Sequence, residues 1–143
     1  MSDSILTRLE ALNHNFQTAF GKNALRPPAT ADDIARLTAL APNPLPEDYL
    51  SFLSITNGLE DAHSLNTVDE VIHLASIYGP KADGLIIGDD SGEGSFLLIT
   101  ASGLRLGQVA YFPDERLDWH DRVSTWPSFT EFFLDHYPDE SWE

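Results

Sequence analysis

The chain has no cysteine and a single methionine among its 143 residues. Without thiols there are no disulfides and no thiolate metal sites, a composition compatible with a reducing compartment. Long hydrophobic runs are missing too, and none approaches the roughly 20 residues that span a bilayer. The first residues carry Asp3 and one early arginine, Arg8, so the basic region of a secretion signal is absent. A soluble, cytoplasmic protein that does not engage membranes is expected. Basic residues are the other scarcity: 8 Lys and Arg stand against 23 Asp and Glu, a formal net charge of -15. Such a surface repels nucleic acid and would steer in a basic partner at a salt-dependent rate. The plainer alternative is that the acidity only maintains solubility.

The charge is unevenly spread. Residues 1–59 carry 4 basic and 6 acidic side chains, whereas residues 60–143 carry 4 and 17, so the net charge is -2 on the first part and -13 on the second. The length suits one domain able to bury about two-thirds of its unfolded surface, with no need of a covalent staple.

Periodicity organises the first half into helices. Ile5, Leu9, Leu12, Phe16, Ala19 and Phe20 recur at steps of three and four, which predicts an amphipathic helix over 4–20, capped by Ser2, Asp3 or Ser4 and stopped by Gly21. His14 and Gln17 flank that stripe and are read as structural. After the stiff Arg26-Pro27-Pro28 connection, Thr30 followed by Asp33 forms a variant capping box for a short helix bearing Ile34, Leu37, Thr38 and Ala41. Pro42-Asn43-Pro44 ends it. The segment 45–58 reads as a third helix. Pro46 suits its first turn, Glu47 and Asp48 face the positive end of its dipole, and Asn57-Gly58 offers a left-handed cap. Its buried face is predicted to be Leu45, Tyr49, Phe52 and Leu53, each worth about 1.5–3 kcal/mol on burial.

Downstream the pattern changes. Residues 65–68 read either as a short strand or as an extended link, and Val71, Leu74, Ala75 and Tyr78 then share a helical face ended by Gly79-Pro80. Leu85–Ile87 and Phe96–Ile99 predict two core strands around a turn holding Gly88, Gly92, Gly94 and the acids Asp89, Asp90 and Glu93. The glycines are expected to supply positive φ there. Residues 108–112 predict a third strand, with Leu104-Arg105-Leu106 as a segment able to pair beside it. Trp126-Pro127-Ser128 is expected to open a last helix, with Ser128 and Glu131 as its capping box, Phe129, Phe132 and Phe133 inward, and Tyr137-Pro138 at its end.

Chemical roles for the acids find little support. As a calcium loop, the turn offers Asp89, Ser91 and Glu93 at alternate positions, but Thr100 stands where a bidentate glutamate belongs. As a phosphate loop it lacks a lysine and repels the ligand. His63 and His73 bracket Asp69-Glu70, yet no second histidine shares the face of His73. Residues 114–123 mix Asp114, Glu115, Asp118 and Asp121 with Trp119 and His120 without a nucleophile or metal partner. No catalytic residue, metal site or cofactor is therefore assigned. Trp119 is either a core plug or an interface anchor.

Leu45-Pro46-Glu47-Asp48-Tyr49, then Phe52-Leu53 and Asn57-Gly58, resembles the opening signature of the SMI1/KNR4 (SUKH) superfamily. Residues 87–96 are similar to its glycine and aspartate segment, Gly107-Gln108-Val109 to its next strand, and residues 128–134 to its closing helix; Ser95 stands where the family often has another acid. The likeness covers residues 30–137, leaving 1–29 as a leading helix and linker and 138–143 as an acidic tail of one domain. The order of elements predicts an α+β fold, a mostly antiparallel sheet with helices packed on one face, and the resemblance implies the same. It also implies a non-enzymatic protein-binding domain, an immunity protein that neutralises a nuclease-type toxin. A nuclease must present a basic surface, which an acidic partner can occupy; Asp89, Asp90, Glu93, Asp114, Glu115, Asp118 and Asp121, with Trp119 as anchor, are the expected contacts. The chain itself is expected to be a monomer or a weak homodimer. The alternative functions are a regulatory scaffold of the fungal SMI1/KNR4 kind and, third, an acid-base or metal-dependent hydrolase.

Overall fold

The computed structural model describes residues 2–21, 25–59, 63–78, 84–90, 94–101, 103–113 and 122–136. Helix α1 (Ser2–Phe20) is followed by α2 (Ala31–Thr38), α3 (Glu47–Ile55), strand β1 (His63–Leu65), α4 (Val68–Tyr78), β2 (Gly84–Asp90), β3 (Ser95–Ile99), β4 (Val109–Phe112), β5 (Ser124–Trp126) and α5 (Phe129–His136). The strands form one sheet in the order β1-β2-β3-β4-β5, every pair antiparallel. The α+β architecture expected from the order of elements is therefore present.

Local chemistry accounts for the helix ends. The Thr30 side chain accepts the Asp33 N–H while Asp33 accepts the Thr30 N–H, both at 3.0 Å, so the variant capping box is complete. A second box, Thr67 with Glu70, opens α4 through the same local Thr-x-x-acid pattern. Helix α3 ends just before the expected Asn57-Gly58 cap. Its C-cap is Thr56 in an extended conformation, and the positive φ of 88° falls later, at Gly58. Gly58 serves a close approach: a Cβ there would meet the Leu65 carbonyl oxygen at 2.7 Å. Asn57 reaches forward to accept the Val68 N–H at 2.8 Å, so the segment after α3 helps to start α4.

The main core lies between one sheet face and α1, α3, α4 and α5. Leu45, Tyr49, Phe52 and Leu53 are buried as expected, and they meet Phe129, Phe132 and Phe133 of α5. Tyr49 and Phe129 are edge-to-face at 5.2 Å, and Phe96 of β3 continues the aromatic layer to Phe132 at 4.9 Å. Helix α1 belongs to this core. Ile5, Leu9 and Leu12 are buried, and Arg8 donates to the Leu134 carbonyl at 2.9 Å, satisfying an end of α5. The side chains of Phe16, Ala19 and Phe20, also expected inward, lie outside the described residues.

One carboxylate ties two helix starts together. Asp48, in the first turn of α3, accepts the Thr130 N–H at 2.8 Å and the Thr130 hydroxyl at 2.9 Å in the first turn of α5. Negative charge between two helix N-termini is favoured by both dipoles.

All five helices contribute to the main core, which Leu85, Ile87, Phe96, Leu98 and Val109 face, while Ile86, Leu97, Ile99, Ala110 and Phe112 on the other sheet face form a second buried cluster that Leu74 of α4 joins. Burial on both faces explains why these strands read as continuous apolar runs. Two expectations are corrected. Leu104-Arg105-Leu106 does not pair as a strand; it is the exposed turn of the β3–β4 hairpin. Trp126 does not open α5 but ends β5, opposite Val109, with its indole N–H donating to Asp135 at 2.8 Å.

Candidate interaction surface

Strand direction decides where the acids gather. At one end of the sheet His63 stands opposite Asp90, Asp89 opposite Ser95, Ser95 opposite Phe112, and Tyr111 opposite Ser124. The chain enters β1, leaves β2 for β3 and leaves β4 for β5 at this end, and the sequence segments joined there are 60–62, 91–94 and 113–123. Together with Asp89 and Asp90 they carry nine acids (Glu60, Asp61, Asp89, Asp90, Glu93, Asp114, Glu115, Asp118 and Asp121) and two bases (Arg116 and Arg122), a net charge of -7. The stretches at the opposite end, 66–67, 79–83, 100–108 and 127–128, carry Lys81 and Arg105 against Asp83, a net charge of +1. An antiparallel strand order brings the described strand ends His63, Asp90, Ser95, Phe112 and Ser124 to one end of the sheet.

The expected contact residues are distributed as follows. Asp89 and Asp90 do not sit in a turn, as expected, but extend β2; Asp89 is half-buried and the Asp90 side chain lies outside the described residues. Glu93, Asp114, Glu115, Asp118, Trp119 and Asp121 also lie outside the described residues.

The strand runs further than its apolar residues because β1 gives it a second neighbour. Gly88 pairs with Leu65 on one side and Phe96 on the other, while the register shifts between Ile86 and Gly88, marking a bulge at Ile87. Asn66 holds that irregularity: its N–H donates to the Ile87 carbonyl at 2.8 Å and its side-chain amide to the Ile86 carbonyl at 3.1 Å. Gly94 is buried, but not for positive φ. A Cβ there would meet the Phe112 carbonyl oxygen and the Tyr111 hydroxyl, each at 2.5 Å, so the hairpin closes on β4 only without a side chain. Gly92 lies outside the described residues.

A family model described as SMI1 / KNR4 family (SUKH-1) matches residues 28–135, which take in every element from α2 to α5 except the last residue of α5. The chain belongs to the SMI1/KNR4 family. No curated protein matches it. The family match begins after α1, although α1 packs into the same core as the SMI1/KNR4 elements.

Other chemistry finds no assembled site among the described residues. No group of three or more His, Cys, Asp or Glu side chains is placed to hold a metal ion there. Asp69, beside His73 on α4, accepts from Arg36 at 2.9 Å, and Arg36 also bonds Asp33 at 2.7 Å. These contacts hold the Asp33 carboxyl below the ordinary value of 3.8, the Thr30 N–H being the largest cause and Arg36 the next. No described helix is long and apolar enough to cross a membrane.

Proposed function

We propose that this SMI1/KNR4 chain is a cytoplasmic, non-enzymatic immunity protein that captures a nuclease-type toxin through the acidic end of its sheet. Family membership supports a protein-interaction role. The observation that supports the reading is the strand order, in which the strand ends His63, Asp90, Ser95, Phe112 and Ser124, from which the acid-rich sequence segments 60–62, 91–93 and 113–123 lead off, share one end of the sheet. A nuclease domain exposes cationic side chains for phosphate, and a surface of opposite sign competes for them while accelerating encounter. Asp89, Asp90, Glu93, Asp114, Glu115, Asp118 and Asp121 supply the charge and Trp119 the apolar anchor. At the rim of an interface, charge acts mostly on the association rate.

The test uses the protein recovered with this chain from its own cells. Replacing Asp89, Asp90 and Glu93 with serine is expected to slow association by about tenfold at low salt and to change dissociation little. Association unaltered at low salt would refute the acidic end as the docking surface. A toxin gene adjacent to the gene for this chain is expected; a solitary gene with several cellular partners would instead favour the regulatory scaffold.

A further inference from the structure

The Asn57-Gly58 pair that follows α3 carries a reactivity of its own. An asparagine side chain can close on the backbone nitrogen of the next residue, and glycine, having no Cβ, hinders that approach least. Of the six asparagines in the chain only Asn57 precedes a glycine. The chain has no thiol and its single methionine is Met1, so the common oxidative routes to covalent change are narrow.

In the folded chain this pair is clamped from both sides. Asn57 Oδ1 accepts the Val68 N–H at 2.8 Å, which holds the side chain toward the start of α4. The Asn57 N–H donates to the Pro27 carbonyl and the Gly58 N–H to the Thr56 carbonyl, both at 3.0 Å. The Thr56 hydroxyl accepts the Arg26 N–H at 2.9 Å and donates to the Gly58 carbonyl at 2.6 Å. Gly58 itself is buried, with a φ of 88°. Ring closure requires the Gly58 nitrogen to lose its proton and to reach Asn57 Cγ. Here that proton is engaged, and the side chain bearing Cγ is bound to another segment.

We infer that Asn57 is a deamidation site kept latent by the fold and exposed by local opening of the junction between α3 and α4. When the junction opens, the Gly58 nitrogen gives its proton to hydroxide and attacks Asn57 Cγ. A C–N bond forms, the side-chain nitrogen takes a proton from water and leaves as ammonia, and a succinimide ring remains. Water then opens the ring at either carbonyl. Attack at Cγ breaks the new bond and leaves aspartate, whereas attack at the main-chain carbonyl leaves isoaspartate, whose main chain runs through Cβ and Cγ. The fold treats these products differently. An aspartate still offers an oxygen to the Val68 N–H, and its charge lies at the positive end of the α4 dipole. Isoaspartate lengthens the chain where space is lacking, since even a Cβ on Gly58 would meet the Leu65 carbonyl oxygen at 2.7 Å. Aspartate therefore permits the junction to reclose, and isoaspartate prevents it.

The experiment follows position 57 by peptide mapping and mass spectrometry of the full chain, incubated at mildly alkaline pH both folded and in urea. Deamidation in the folded chain is expected to be slower by about tenfold or more, tenfold being the factor set by about 1.4 kcal/mol of opening free energy. Thr67→Ala removes the hydroxyl that accepts the Glu70 N–H at the start of α4, and is expected to speed deamidation of the folded chain severalfold. Asp48→Ala, which loosens the far end of α3, is expected to leave that rate unchanged. After refolding of the urea-treated chain, aspartate at position 57 is expected in the folded fraction and isoaspartate in the unfolded one. Equal rates in the folded and urea-unfolded chain, no acceleration by Thr67→Ala, equal acceleration by Asp48→Ala, or isoaspartate recovered in the folded fraction would each overturn the inference.

Discussion

Asp48 offers the sharpest test of how the helices are held together. Its carboxylate accepts two bonds from Thr130, at 2.8 and 2.9 Å, and one from its neighbour Tyr49 at 2.9 Å. Hydrogen bonds to a charged group contribute about 1.5–3 kcal/mol each, and because Asp48 is only half-buried the lower end applies. Asp48→Ala removes both links to α5 and leaves the Thr130 N–H and hydroxyl without their acceptor, for an expected loss of about 3 kcal/mol. At roughly 2–4 °C per kcal/mol for a chain of this size, the melting temperature falls by about 6–12 °C. Thr130→Val isolates the hydroxyl bond alone, worth about 1–1.5 kcal/mol, and the double variant is expected to cost less than the sum of the singles by that amount. Urea unfolding at neutral pH, with unchanged slopes, measures all three differences. A loss below about 1 kcal/mol for Asp48→Ala, or strictly additive singles, would show that the carboxylate does not clasp the two helices.

Three further outcomes follow from single groups. The Tyr49 hydroxyl is fully buried with no hydrogen-bond partner among the described residues, and burial pushes its ionisation upward; Tyr49→Phe is therefore expected to be neutral or to stabilise by up to about 1 kcal/mol in thermal unfolding, and a marked loss would reveal a partner for the hydroxyl. Gly58→Ala forces a side chain into positive φ and within 2.7 Å of the Leu65 carbonyl, so a destabilisation of about 2–4 kcal/mol is expected by urea unfolding, larger still for Gly58→Val. For Asp33, the folded-state pKa is depressed, so its contribution is present above the ordinary 3.8 and lost as pH falls through the folded value. The difference in urea midpoint between the parent chain and Asp33→Asn is expected to stay flat above about pH 5 and to shrink in acid; a difference that grows in acid would reverse the sign of this argument.

Much of the helical half was legible because its signals are local. The stripe Ile5, Leu9, Leu12, the Thr30 and Asp33 box, and the Tyr49, Phe52, Leu53 face each depend on residues within one or two turns, and the structure places them as expected. The sheet was less legible. β5 is three residues long, Ser124–Trp126, and two of the three are exposed, so no apolar alternation marks it. Its existence depends on β4, through the pairing of Val109 with Trp126. Gly88, Asp89 and Asp90 read as turn because their propensities are those of a turn, and they become strand because β1 pairs with them. The bulge at Ile87 rests on Asn66, a residue twenty positions before the carbonyl its side chain meets.

The sequence by itself determined the acidity, the capping box of α2, the apolar residues of the core and, through their order, membership of the SMI1/KNR4 family. These are properties of composition and of contacts between near neighbours along the chain. Only the tertiary structure decided that both sheet faces are buried, that α1 shares the core, and that Asp48 spans two helices. It also decided that the strand ends His63, Asp90, Ser95, Phe112 and Ser124 share one end of the sheet while the exposed Leu104 lies in the hairpin turn at the other. The physical reason is that strand direction and register arise from pairings between distant segments, and a residue's own neighbours carry no record of them.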